Sequence, residues 1–393
     1  MAIMQRKWRA EAQGAETVRC LSASLPSQEI KNILVIKLRH FGDVLLMTPL
    51  LRTLKMHYPH GVINVLVYDG TEVMLAGNKD VYLCYTVDRQ LKHQGVKAQW
   101  RGEKALWNSL SIMRYDLVIN LSDQWRAALY CLLLKPAFSL GFRWPRRNNI
   151  FWRKCHHQLV DTHGYHQHHT VLNNLSVLQP LAISPLNTQV SMCWRKEDAD
   201  YIDRLLHRYH LRDYVLIHPG ARWAFKTWST AAFSALINHL SRQGRRIVLT
   251  GGRSQEEGEK AAAILAGLTS PEHVVNLTGR LEMPELAVVI SRARLFIGVD
   301  SAPMHMAAAL STPSVVLFGP SNVAQWHPWQ APHTLLWAGD YRPLPRPDEV
   351  DTATPERYLD AIPVSDVIRA VDQWLVPALP AVSSRRRAGV LTV

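Results

Sequence analysis

The sequence has neither a Walker loop nor a G-x-G-x-x-G turn, so the ordinary P-loop and dinucleotide readings lose their support. It also lacks any run of roughly 18 uninterrupted apolar residues, and no membrane-spanning helix is expected. The five cysteines, Cys20, Cys84, Cys131, Cys155 and Cys193, are scattered, odd in number and free of any C-x-x-C pair. That argues against a disulfide framework and a zinc site and suits a reducing cytoplasm. Acidic residues are the last scarcity. Against 45 Lys and Arg stand 32 Asp and Glu, and the formal charge of +13 asks for a nucleic acid, an anionic membrane surface or a phosphorylated substrate.

What is present is the composition of a globular chain: 393 residues, 47% hydrophobic and 20% charged, enough for two domains with separate cores. Residues 1–29 carry Arg6, Lys7, Arg9 and Arg19 with no continuous apolar stretch behind them, which reads as a poorly ordered tail and not a signal peptide. Short apolar strands then alternate with helical patterns. Asn32 to Leu38, Val62 to Val67 and Asp116 to Leu121 form one series, and Tyr214 to His218, Arg246 to Thr250, Val274 to Asn276, Leu295 to Ile297 and Ser314 to Phe318 a second. The alternation predicts two doubly wound parallel sheets, over 30–185 and 186–375, facing a crevice. Residues 138 to 170 are expected to interrupt the first series. A helix from Val364 to Leu375 ends the folded part, with the option of packing back on the first domain, and a basic tail, 376–393, holds Arg385, Arg386 and Arg387.

The stretch Gly298-Val-Asp-Ser-Ala-Pro-Met-His-Met-Ala-Ala-Ala-Leu310 joins an apolar strand to a small-residue helix through a polar turn. At such a strand end, free N–H groups and a helix dipole suit a phosphate. Asp300 suits sugar hydroxyls instead, and His305 lies one turn beyond Ser301. Alternatively Asp300 and Ser301 only cap the helix, with His305 packed beneath it. Two similar junctions precede this one. His218-Pro-Gly220 leads through Ala221 and Arg222 to Lys226, which either neutralises a diphosphate or is a solvated surface lysine. Thr250-Gly-Gly252 leads to Ser254-Gln-Glu-Glu257, where Glu257 completes a capping box with Ser254 and leaves Glu256 to accept from ribose hydroxyls.

In the first half, Asp43 follows a strand end and a loop, Arg39-His-Phe-Gly42, and is either a plain N-cap or an ionised general base. Pro49 implies either a kinked helix from Asp43 or a short turn before a helix capped by Thr48. Six histidines between His156 and His169 complete no recognisable metal-ligand spacing. Arg143, Arg146, Arg147, Arg153 and Lys154, set among Trp144 and Trp152, read equally as a nucleic-acid patch, a grip on the phosphates of a lipid-linked sugar, or a solvated face.

Taken in order, Leu38-Arg-His-Phe-Gly-Asp-Val44 with Pro49, His218-Pro-Gly220 with Lys226, Gly298 to His305, and Phe318-Gly-Pro320 resemble the bacterial lipopolysaccharide heptosyltransferases. These are family 9 glycosyltransferases of the GT-B fold, and the resemblance spans roughly residues 30 to 375. It implies two Rossmann-like domains, the first for the acceptor and the second for the nucleotide sugar. It further implies transfer of heptose, with inversion and without a metal or other cofactor, from ADP-L-glycero-β-D-manno-heptose to an inner-core heptose of lipopolysaccharide; within the family, addition of the third heptose matches best. Asp43 matches the catalytic base, Lys226 the diphosphate lysine and Asp300 the aspartate that binds the donor heptose. Gly220, Ala221, Ser301, Ala302 and His305 fall in the donor-binding loops, with Ser-Ala where Thr-Gly is common, and Glu256 matches the ribose glutamate. Arg39, Arg143, Arg146 and Arg147 are placed with a phosphorylated lipopolysaccharide core acceptor at the cytoplasmic face of the inner membrane, and no nucleic acid partner is expected. Another nucleotide sugar or a protein acceptor is the alternative within the fold.

Overall fold

The computed structural model describes residues 30–93 and 95–375; the expectations for the two tails, 1–29 and 376–393, lie outside the described residues. Strands β1 (Asn32–Lys37), β2 (Val62–Tyr68), β3 (Leu83–Val87), β4 (Leu117–Asn120), β5 (Phe138–Arg143) and β6 (Gln158–Asp161) form one sheet in the order β3-β2-β1-β4-β5-β6. Strands β7 (Tyr214–His218), β8 (Arg246–Leu249), β9 (Val274–Asn276), β10 (Leu295–Val299), β11 (Ser314–Phe318) and β12 (His333–Trp337) form the second, in the order β12-β11-β10-β7-β8-β9. All pairings are parallel, with Val35 opposite Val65 and Ile119 in one sheet and Ile297 opposite Ile217 and Val315 in the other.

Counted from β7, the second sheet repeats the strand order of the first. The order reverses between β1 and β4, and again between β7 and β10, and at such a reversal the flanking helices diverge to opposite faces and leave a crevice at the carboxyl ends of the strands. The residues following β1, β7 and β10 are therefore the ones a ligand would meet.

Parallel strands are covered on both faces and so read as unbroken apolar runs. Ile33 to Ile36 and Phe296 to Ile297 are fully buried. One face of the first sheet packs Leu34, Ile36 and Val118 on Leu110 and Tyr130. From its other face, Ile33, Val35 and Ile119 share a cluster with Leu50 and Leu54 that continues into Met304, Ala307 and Val316 of the second half, so one apolar core joins both sheets. The helix Val364–Leu375 buries Val367, Val371 and Leu375 against Ile217, Leu236 and Leu317; it packs on the second sheet, not back on the first.

The alternation does not break at 138. Phe138–Arg143 and Gln158–Asp161 extend the first sheet, and Leu83–Val87 and His333–Trp337 supply edge strands that the sequence pattern leaves unassigned. Around Pro49 the short-turn alternative holds, one residue displaced: a helix Phe41–Leu45 carries Asp43 in its first turn, and a second, Thr48–His57, has Met47 at its N-cap position and Pro49 in its opening turn.

Candidate active site

The loops after β7 and β10 meet in an ion pair. Asp300 is buried, and Lys226, on a turn (Ala224–Lys226) seven residues downstream of Pro219, donates to its Oδ2 over 2.6 Å. Burial opposes ionisation of Asp300, but the ammonium beside it prevails and holds the carboxyl below the ordinary carboxylate range. Lys226 also lies 5.2 Å from the centre of the Trp223 ring, which Arg222 flanks at the same distance. Both members of the pair stand at the strand-order reversal of the second sheet, next to the N-terminus of the helix Ala302–Ala309.

Ser301 occupies the N-cap position of that helix, yet its hydroxyl caps nothing: Oγ is buried without a partner, as are Nδ1 of His305 and Oγ1 of Thr278. A buried unpaired polar atom costs free energy, and two of these three, on Ser301 and His305, lie in the turn and helix that follow Asp300. Capping alone therefore does not account for the turn after β10.

His305 carries the second half toward the first. It is buried, and a Cβ added to Gly42 would lie 2.9 Å from its Cδ2, so glycine is needed where the Asp43 helix and the Ala302–Ala309 helix meet. Asp43 lies across this contact, with its carboxylate reaching back to the His40 backbone N–H at 3.4 Å. Lys37, the last residue of β1, is buried beneath it. Its Nζ stands 4.0 Å from Asp43 Oδ1 and donates to Asn174 Oδ1 at 3.0 Å, while Asn174 Nδ2 donates to Leu46 O. Burial pushes the Lys37 ammonium down to about 8, against the pull of Asp43. From the facing loop the Arg222 guanidinium reaches across the crevice to the His40 ring.

Of the two adjacent glutamates, Glu257 is the one that turns toward the crevice: a Cβ on Gly220 would lie 2.6 Å from its Oε1, and its carboxylate accepts from the Gly252 N–H. Ser254 does cap its helix, accepting from the Glu257 N–H at 3.3 Å, but the Glu257 side chain does not return to Ser254 to close the box. Glu256 is exposed beside Lys260. Gly220 is buried under Glu257 and Ala221 is half-buried next to it.

Of the four candidate acceptor arginines, two converge. Arg39 pairs with Asp123 at 3.6 Å, and Arg147 Nε donates to the Asp123 carbonyl at 2.9 Å. Arg143 and Arg146 are exposed on the same side, at and just after the end of β5. The six histidines disperse into separate contacts, among them His156 with Asn120, His157 with Ser139 and His169 with the His327 carbonyl. No group of three or more His, Cys, Asp or Glu able to hold a metal occurs among the described residues.

Burial also sets a limit on acid stability. It pushes His305 down to about 4, His169 to about 3, and His218 in the same direction. In the unfolded chain each titrates near its ordinary value of about 6.5. Below that value the unfolded state binds protons that the folded state refuses, so stability falls as pH drops from about 6.5 toward 4. Thermal melts stepped through this window should show Tm declining steeply and, for His305→Gln, less steeply; a flat profile would contradict the burial of these rings.

Comparison with known proteins identifies the family and the fold. Residues 104–355 match the profile of glycosyltransferase family 9 (heptosyltransferase). The chain is 38% identical to a lipopolysaccharide heptosyltransferase 3 of Escherichia coli, across 86% of this chain and 97% of that protein, and 37% identical to the enzyme of the same name from strain K12, across 88% and 98%. Among solved structures, a family 9 glycosyl transferase from Veillonella parvula superposes with a TM-score of 0.73 at 21% identity, covering 88% of this chain and 98% of that one. Escherichia coli heptosyltransferase WaaC with ADP superposes at 0.67 and 20% identity, covering 87% and 99%. The paired six-stranded sheets are thus the GT-B fold. The chain belongs to glycosyltransferase family 9, the heptosyltransferases.

Proposed function

We propose that this heptosyltransferase moves L-glycero-D-manno-heptose from ADP-heptose to an inner-core heptose of lipopolysaccharide, with inversion, and that the heptose it adds is the third. The Lys226–Asp300 pair at the strand-order reversal, facing Asp43 across His305, is the observation that carries the reading. The acceptor assignment draws on the two relatives named lipopolysaccharide heptosyltransferase 3, and the donor on the WaaC structures with ADP and with ADP-2-deoxy-2-fluoro heptose.

In this reading the half-chain 30–185 holds the acceptor and 186–375 the donor. Asp43 takes the proton of the attacking hydroxyl as its oxygen bonds to the anomeric carbon. The bond from that carbon to the diphosphate breaks in the same step, and ADP leaves with the electron pair. One displacement inverts the configuration. Lys226 and the N–H groups of Ser301 and Ala302 at a helix N-terminus stabilise the charge that collects on the diphosphate. Asp300 accepts from heptose hydroxyls, helped by His305, and Glu257 accepts from the ribose. Lys37 sets its ammonium 4.0 Å from the Asp43 carboxylate, on the side away from the attacking hydroxyl. Arg39, Arg143, Arg146 and Arg147 receive the acceptor phosphates. No helix among the described residues is long and apolar enough to cross a membrane. In this reading the lipid-anchored acceptor is met at the surface of the inner membrane.

Titration calorimetry with ADP and ADP-heptose, followed by transfer onto lipopolysaccharide truncated at successive core heptoses, tests this directly. Both ligands should bind, and transfer should occur only to a core already carrying two heptoses; binding of neither ligand would sink the reading. Glu257→Gln should weaken ADP binding by about tenfold, the loss of a hydrogen bond to a charged group. Glu256→Gln should leave it unchanged, and the reverse result would restore Glu256.

A further inference from the structure

From Gln124 to Val160 the chain carries seven lysines and arginines and not one aspartate or glutamate. The same stretch displays five large apolar side chains to solvent: Leu129 at 39%, Leu132 at 40%, Leu133 at 51%, Ile150 at 71% and Phe151 at 48% exposure. Leu129, Leu132 and Leu133 lie on the helix Trp125–Leu133, and their spacing from Trp125 places all four on one face. Ile150 and Phe151 open the helix Ile150–Lys154, and the Phe151 ring sits 5.4 Å from that of Trp125, so the two helices present a continuous apolar surface.

The surface is built firmly. Trp152, between Phe151 and Arg153, is fully buried and donates from Nε1 to the Phe142 carbonyl at 3.0 Å, and Asn149 caps the helix. Ile150 and Phe151 are therefore held outward by the packing of their neighbour. Around them stand Lys135, Arg153 and Lys154, none of which forms an ion pair among the described residues. Carboxylates that adjoin the stretch have other partners: Glu103 bonds Arg126 and Tyr130, Asp123 pairs with Arg39, and Asp161 accepts from the His163 N–H.

We propose that the face formed by Leu129, Leu132, Leu133, Ile150 and Phe151, with Lys135, Arg153 and Lys154 around it, docks on an anionic phospholipid bilayer. Apolar tips among unpaired cations match the boundary between acyl chains and acidic headgroups, where burial and charge act together. A second copy of the chain fits poorly, because a two-fold contact would set one cationic rim against another. The face also adjoins the catalytic loop, since Arg147 bonds the Asp123 carbonyl and Asp123 pairs with Arg39, four residues before Asp43. Docked there, the crevice opens beside the bilayer. The inference rests on the proposed lipid-anchored acceptor for its biological sense, but its test does not.

The test is flotation of the full chain with vesicles of phosphatidylethanolamine and phosphatidylglycerol, against vesicles of phosphatidylcholine. The parent should float with the anionic vesicles only. Ile150→Glu/Phe151→Glu should lose at least about tenfold in partitioning, with an unchanged melting temperature, and Arg153→Gln/Lys154→Gln should lose binding in proportion to the charge removed. Both variants should transfer heptose to a water-soluble core oligosaccharide at the parent's rate. Flotation of both variants like the parent would overturn the proposal, as would equal binding to the two vesicle types or a parent dimer that the first variant dissociates. A parent that floats but transfers no heptose to the soluble acceptor would sink the proposed function and leave the docking face standing.

Discussion

Asp43→Asn is expected to lower kcat by roughly 10²–10⁴-fold, the usual contribution of a general base, while ADP binds nearly as before. Asparagine keeps the size of the side chain, and its carbonyl oxygen can still meet the His40 N–H that Asp43 accepts from. What it cannot do is take a proton. Lys37 feels the change as well. Burial already pushes its ammonium down to about 8, and Asp43 is the first of the groups pulling it back up. Without that carboxylate the lysine falls further and tends to neutrality, so the variant relieves an uncompensated buried charge by losing a proton and not by unfolding. Single-turnover transfer, ADP titration and a melt on the same preparation separate the outcomes. Lost ADP affinity or a collapsed melt would mark Asp43 as a structural cap.

Where an element is legible in the sequence, one physical signal dominates. The strands Tyr214–His218, Val274–Asn276 and Ser314–Phe318 and the helix Val364–Leu375 have the bounds the pattern predicts, because a strand covered on both faces must be apolar throughout and an amphipathic helix must repeat its apolar stripe. β5 and β6 escaped for the opposite reason. Ser139, Gly141 and Arg143 break the run in β5, and β6 is four residues, Gln158 to Asp161, with a polar residue at each end. In each case pairing within the sheet, β5 between β4 and β6 and β6 on β5, supplies the stability that the local sequence does not announce.

The site shows the same division. Asp43, Lys226, Asp300 and His305 follow strand ends or open helices, and a strand end can be read from sequence. Which of two adjacent glutamates turns inward cannot, since it depends on the space above Gly220 and on the Gly252 N–H. Lys37 goes unassigned in the sequence analysis, although a cation at the end of the apolar run Ile33 to Ile36 is a costly placement that needs a partner. Nothing in the spacing of residues names that partner, because Asn174 arrives from 137 residues away.

The second large effect concerns the Lys226–Asp300 pair, where stability and function can be taken apart. In the folded protein Lys226 outweighs burial and holds Asp300 below its ordinary value. A depressed carboxylate contributes stability above the unfolded-state pKa and loses it as pH falls through the folded one, so at neutral pH the contribution is fully present. Lys226→Met leaves the burial and removes the compensation: Asp300 is then pushed up, and the protein is expected to lose on the order of 3–5 kcal/mol, the cost of stranding one member of a buried pair. Adding Asp300→Asn removes the stranded charge, and the double variant should regain most of that stability. Heptose transfer should not return with it. On the proposed mechanism the diphosphate has lost the cation that stabilises its departure, and the heptose has lost its acceptor carboxylate. Urea midpoints and transfer rates for the parent, both single variants and the double close the cycle. A double variant that recovers both stability and transfer would show the pair to be a strut of the fold, and the site would have to be sought elsewhere along the crevice.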